Sequence, residues 1–137
     1  MALSVASHYP DRPSVLRAMA GIAAEELLHY ADVIELMIER RIEPGPDTKD
    51  PYIQALNAEI RSGRENYLLD RLLVGSIVER RGFERFSLIA EGIVDSQLRS
   101  FYKRLAHSED RHWNVFVNLA MNEFPASEVK LRLHELL

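Results

Sequence analysis

Three long stretches of this 137-residue chain repeat apolar residues with the period of an α-helix. The stretches cover about residues 13–42, 66–91 and 95–122, and a spacing of three to four residues predicts helices rather than strands. Only six prolines and six glycines occur, and four of the prolines lie between the predicted helices. The chain is therefore expected to be all-α.

The segments between these stretches contain signals for helix ends. The sequence Glu-Pro-Gly-Pro-Asp at 43–47 predicts a break, and Asp50-Pro51 predicts the start of a shorter helix to about Ser62. Gly92 is expected to end the second long helix, and Asp95 or Ser96 to cap the third. Residues 1–9 predict a short helical end, and Ser127 is expected to cap a last turn or two. We expect one domain over residues 1–137, an antiparallel four-helix bundle with an abbreviated first helix and a short C-terminal helix.

Composition excludes several classes of protein and of site. No apolar run approaches the roughly 20 residues that cross a bilayer, and no basic start of a secretory signal is present. With no cysteine, neither a disulfide framework nor a thiolate metal site is available, so cytoplasm is the expected compartment. The net charge of −4 does not attract nucleic acid, so RNA would need a local basic patch. Candidates are Arg40, Arg41, Lys49, Arg61, Arg64, Arg80, Arg81, Arg85, Lys103 and Arg104.

Acidic residues interrupt the apolar stripe of each long helix. Glu26 and His29 lie in the middle of the first stripe, Glu79 in the second, and Glu109 and His112 in the third. An ionised carboxylate in an apolar interior needs compensating charge, and a cluster of metal cations would supply it. The five residues are therefore the candidate metal ligands.

The spacing of these residues narrows the choice of metal. Glu26/His29 and Glu109/His112 are both Glu-x-x-His, which places the two side chains on one helix face. Two such helices plus helices with a single Glu form the ligand pattern of ferritin-like di-metal bundles. Oxygen and imidazole ligands without sulfur suit iron or manganese. One copy alone would indicate only a surface Glu–His contact, and buried Glu and His could instead pair with Arg in an adaptor protein.

Several segments resemble the tRNA 2-methylthio-N6-isopentenyladenosine hydroxylase family. They are residues 72–86, 101–105 and 108–112, and Tyr9-Pro10-Asp11-Arg12-Pro13 ahead of residues 25–29. The resemblance implies a ferritin-like fold with two Fe ions held by Glu26, His29, Glu79, Glu109 and His112. It also implies O2 as co-substrate, an external electron donor with its electron-transfer partner, and an anticodon-loop adenosine of tRNA as substrate. The expected reaction is hydroxylation of the isopentenyl group.

The chain departs from the family pattern at its first helix. The family places a further Glu there, whereas no acid precedes Asp11 in this sequence. Three carboxylates instead of four predict weak or partial metal occupancy. We also expect exposed apolar surface that favours a homodimer. The alternatives are a ferroxidase, a small-molecule oxygenase, or a metal-depleted helical bundle without activity.

Overall fold

A computed structural model describes residues 1–46 and 48–137 of the chain. These residues form six α-helices and no strand, which confirms the all-α prediction. The helices are α1 Ala2–His8, α2 Pro13–Glu39, α3 Pro51–Ala58, α4 Arg64–Gly92, α5 Ser96–Glu123 and α6 Ala126–Leu136. They belong to two compact units, Met1–Pro51 and Tyr52–Leu137. No helix in the described part of the chain is long and apolar enough to cross a membrane.

The first unit consists of α1, α2 and the segment that follows them. α1 packs against α2, and Val5 and Tyr9 are almost fully buried. The buried residues of α2 are Val15, Met19 and Ile22, and all of them lie in its first half. Seven residues of helix are only about 10 Å long, so α1 can cover no more than the first turns of α2. Large apolar side chains farther along α2 are exposed, namely Leu27, Leu28, Tyr30 and Ile38.

The second unit is built on the packing of α4 against α5. α4 begins after Gly63, whose φ of 93° lies in the left-handed region that favours glycine. α5 begins at a side-chain cap, because Oδ1 of Asp95 accepts hydrogen bonds from the backbone N–H groups of Gln97 and Leu98. Fully buried apolar residues on these two helices form the core. They include Leu68, Leu69, Leu72, Leu73, Phe116 and Ala120.

Several helix ends differ from the predicted ones. α2 ends at Glu39 rather than near 42, and Arg41 beyond it has a positive φ of 57°. α3 ends at Ala58 instead of Ser62. The predicted cap at Ser127 is wrong, because the backbone carbonyl of Pro125 already accepts hydrogen bonds from the N–H groups of residues 128 and 129. α6 therefore starts at Ala126 and runs for 11 residues. Asp47, the last residue of the predicted break, lies outside the described residues.

Candidate metal centre

Two of the five predicted ligands meet in the interior of the second unit. Glu79 on α4 and His112 on α5 expose only 7% and 2% of their surface. Oε2 of the carboxylate lies 3.6 Å from Nδ1 of the imidazole. Both residues lie in the apolar stripes that pack α4 against α5, which explains why they are buried. The two side chains are thus buried, as their place in the stripes predicts, and their role as metal ligands stays a prediction.

The distance between these two atoms indicates what the pair can bind. A hydrogen bond between nitrogen and oxygen is normally about 2.7–3.2 Å long, so 3.6 Å is too long for a good one. Two ligand atoms about 2.1 Å from the same metal ion lie about 3–3.6 Å apart. A buried carboxylate and a buried imidazole at this separation fit a shared cation better than a direct contact. The donor atoms, oxygen and nitrogen, suit iron or manganese.

Glu109 lies one turn before His112 on the same face of α5. Its carboxylate lies against the backbone of α4 at Gly82, one turn after Glu79. A Cβ atom built on Gly82 would be only 2.9 Å from Oε2 of Glu109. The Glu-x-x-His motif of α5 therefore packs against the segment of α4 that runs from Glu79 to Gly82.

The other two predicted ligands form a pair on α2 of the first unit. Nδ1 of His29 lies 3.5 Å from Oε1 of Glu26, as a Glu-x-x-His spacing allows. The expected burial of Glu26 is wrong, because 46% of its side-chain surface is exposed. Within its own unit, α1 is too short to cover this part of α2. The side chain of His29 is 22% exposed, so this pair is more accessible than the pair in the second unit.

The sequence reasoning missed a fully buried charge that is held by several hydrogen bonds, which is Asp70 on α4. Asp70 is fully buried and accepts hydrogen bonds from Arg61 and Arg132, including Nη2 of Arg61 at 2.8 Å and Nε of Arg132 at 2.9 Å. Burial alone would raise the pKa of Asp70, but these hydrogen bonds lower it below its ordinary value. The hydrogen bond to Asp70 raises the pKa of Arg132. The sequence did contain a signal, because Asp70 lies three and four residues before the apolar Leu73 and Val74 and so shares a helix face with them.

Several arginines of the predicted basic patch already contact other side chains of the same chain. The guanidinium of Arg61 binds Asp70. Arg80 hydrogen-bonds Glu84 at 3.1 Å, and its guanidinium lies over the rings of Phe83 and Trp113. The guanidinium of Arg81 lies 3.8 Å from the ring centre of Tyr52. Because these groups already have partners, the number of arginines overstates the charge that RNA could contact.

Comparisons with known proteins give one family. The sequence matches the family described as tRNA-(MS[2]IO[6]A)-hydroxylase (MiaE) over residues 1–137. Two curated relatives are named tRNA 2-(methylsulfanyl)-N(6)-isopentenyladenosine(37) hydroxylase. The protein of Pseudomonas putida is 33% identical over 121 residues, which are 88% of this chain and 58% of the relative. That of Salmonella typhimurium is 31% identical over 115 residues, 84% of this chain and 42% of the relative. The chain thus spans about half the length of these relatives.

A solved structure is also similar. It is a Synechococcus protein described as having aldehyde deformylating oxygenase activity, with a TM-score of 0.94 and 32% sequence identity. The match covers 98% of this chain and 67% of that protein. The similarity confirms that the fold class is all-α and ferritin-like, as the sequence predicts.

Proposed function

Because the chain belongs to the tRNA-(MS[2]IO[6]A)-hydroxylase (MiaE) family, we propose that it provides the di-iron centre of an O2-dependent tRNA hydroxylase. The proposed reaction adds an oxygen atom to the isopentenyl group of 2-methylthio-N6-isopentenyladenosine in the anticodon loop. Both curated relatives are named for a hydroxylase of this nucleoside.

The buried pair of Glu79 and His112 is the observation that carries this proposal. A carboxylate on a side chain that is only 9% exposed, between apolar helices, is stable only with compensating positive charge. We propose five ligands for the two Fe ions. They are Glu26, His29, Glu79, Glu109 and His112. Three carboxylates and two imidazoles without thiolate match the donors that iron takes in non-haem oxygenases.

Iron held by these residues would supply the activation of O2 that hydroxylation of an unactivated C–H bond requires, with electrons from an external donor. The chain's own residues hold the ligands in place and keep the site dry. Leu72 and Phe116 are fully buried on the same stripes as Glu79 and His112. They exclude water on their side of the ligands, which strengthens electrostatic interactions there and protects reactive species from side reactions. The carboxylates contribute the negative charge that offsets the cations.

Anaerobic titration with ferrous iron tests the metal site. The variants E79A and H112A should each lose at least one tightly bound iron, because five ligands leave little redundancy. Matched controls are E84A on α4 and H107A on α5, since both side chains are exposed on the same helices. Unchanged iron binding by E79A and H112A would contradict the proposed ligand set.

Single-turnover assays with O2 and a chemical reductant test the substrate. We expect tRNA that carries the modified adenosine to gain one oxygen atom in mass spectrometry, and tRNA without the isopentenyl group to gain none. The activity in the description of the Synechococcus structure favours a second candidate, an oxygenase that acts on a small aldehyde. Consumption of aldehyde with no change in the tRNA would support that candidate instead. Association with a second copy stays a prediction, which sedimentation velocity would measure.

A further inference from the structure

In the candidate site, each turn of α4 faces one turn of α5. Glu79 of α4 lies opposite His112 of α5, with Oε2 and Nδ1 3.6 Å apart. One turn farther along α4 is Gly82, and one turn back along α5 is Glu109, as antiparallel packing requires. One turn away from the Glu79–His112 pair, the carboxylate of Glu109 therefore faces Gly82, which has no side chain.

The contact at Gly82 is closer than any other residue would allow. A Cβ atom there would lie 2.9 Å from Oε2, 3.3 Å from Cδ and 3.4 Å from Cγ of Glu109. Carbon and oxygen atoms that are not bonded do not normally approach within 3.0 Å. The end of the Glu109 side chain, from Cγ to the carboxylate, thus occupies space that only a glycine leaves open.

We propose that Gly82 is a positioning residue, which fixes the place of the Glu109 carboxylate and thereby the metal affinity of the centre. The inference deepens the proposed function, on which its metal readout rests. Any side chain at position 82 would push the carboxylate away from α4. Ligands misplaced by tenths of an ångström bind metal less well, because coordination distances tolerate only about 0.2 Å.

A glycine at this position has a cost to the helix. Glycine within a helix is less favourable than alanine. In a chain of this size, a glycine lowers the melting temperature by about 2–4 °C relative to an alanine at the same position. Gly21 in α2 is a matched comparison, since a Cβ atom there would have no neighbour within 4 Å. At Gly82 the nearest atom is the end of a flexible side chain, so that alanine would displace Glu109 rather than the backbone. The expected result is a fold that survives and a ligand that moves.

The test uses the full chain with the variants G82A, G21A, E109A and G82A/E109A. Thermal denaturation of the metal-free proteins gives the stability, and anaerobic calorimetry with Mn²⁺ and Fe²⁺ gives the affinity. We expect G21A to raise the melting temperature by about 2–4 °C and to leave metal affinity unchanged. We expect G82A to stay folded, gain less than G21A, and bind metal about 10–100-fold more weakly.

The double variant separates positioning from a merely structural role. Once the Glu109 side chain is removed, adding G82A should give the full gain of about 2–4 °C and should not lower metal affinity further. Wild-type affinity in G82A would overturn the proposal. If the wild-type chain binds neither metal, the proposed function fails, and the melting temperatures decide about Gly82 on their own. An equal gain from G82A with and without the Glu109 side chain would then overturn its positioning role.

Discussion

Asp70 offers the sharpest test of how the second unit is held together. Its carboxylate accepts five hydrogen bonds, three from Arg61 and two from Arg132. Arg132 belongs to α6 and also donates to the backbone carbonyl of Glu59 at 2.7 Å. The carboxylate therefore links α4, the turn before it and the C-terminal helix. Replacing Asp70 should loosen all three.

The burial of each partner determines the expected size of the effect. Asp70 is fully buried and the Arg132 side chain is 11% exposed, so D70A leaves a nearly buried guanidinium with only the carboxylate of Glu135, which is 48% exposed. Loss of one member of a buried pair costs about 3–5 kcal/mol. The Arg61 side chain is 40% exposed, so water can solvate it and screen its charge. Its removal should cost about 1 kcal/mol. R132A should lie between the two, at about 2–4 kcal/mol, because it also loses the bond to Glu59.

Urea denaturation followed by circular dichroism at pH 7 measures these free energies of unfolding. In a thermal scan, D70A is expected to lower the melting temperature by about 9–20 °C, given about 3–4 °C for each kcal/mol in a chain of this size. D32A, at an exposed position of α2, is the control and should change the free energy by less than about 0.5 kcal/mol. A cost below about 1 kcal/mol for D70A, or a larger cost for R61A than for R132A, would refute the reasoning.

Three further predictions concern the second unit. Because the pKa of Asp70 is below its ordinary value of 3.8, its ion pairs stabilise the fold fully above that pH and are lost as the pH falls through the lower, folded-state pKa. The stability difference between wild type and D70N should thus shrink in acid, and a constant difference in denaturation curves from pH 7 to 3 would contradict this. L72A, at a fully buried position, should cost about 2–5 kcal/mol in urea denaturation, whereas L131A, at an exposed one, should cost little; equal costs would show that the core is misassigned. D95A should cost about 1 kcal/mol because it removes the side-chain cap of α5, and D95S should restore most of that stability. Circular dichroism measures the helix content and the melting temperature, and values unchanged in D95A would contradict the role of the cap.

The candidate site illustrates what a one-dimensional pattern can and cannot specify. Helical period placed Glu79, Glu109 and His112 on the inward faces of their helices, because residues three or four apart share a face whatever the partner is. Glu79 and His112 are buried because, in addition, α4 and α5 pack against each other. Glu26 obeys the same rule and is nevertheless exposed, since burial requires a neighbour of sufficient length. The metal content of the chain, including the predicted partial occupancy, stays a prediction.

The sequence by itself determined the helical class, the approximate helix ends and the residue types available to bind metal. Those properties depend on periodicity, on proline and glycine breaks, and on side-chain chemistry, all of which are local. The tertiary structure decided which helix faces meet. It joined Asp70 to Arg132, 62 residues away in sequence, and it set Gly82 against Glu109. Such contacts depend on the register between helices, which packing of the whole core fixes and no single segment encodes.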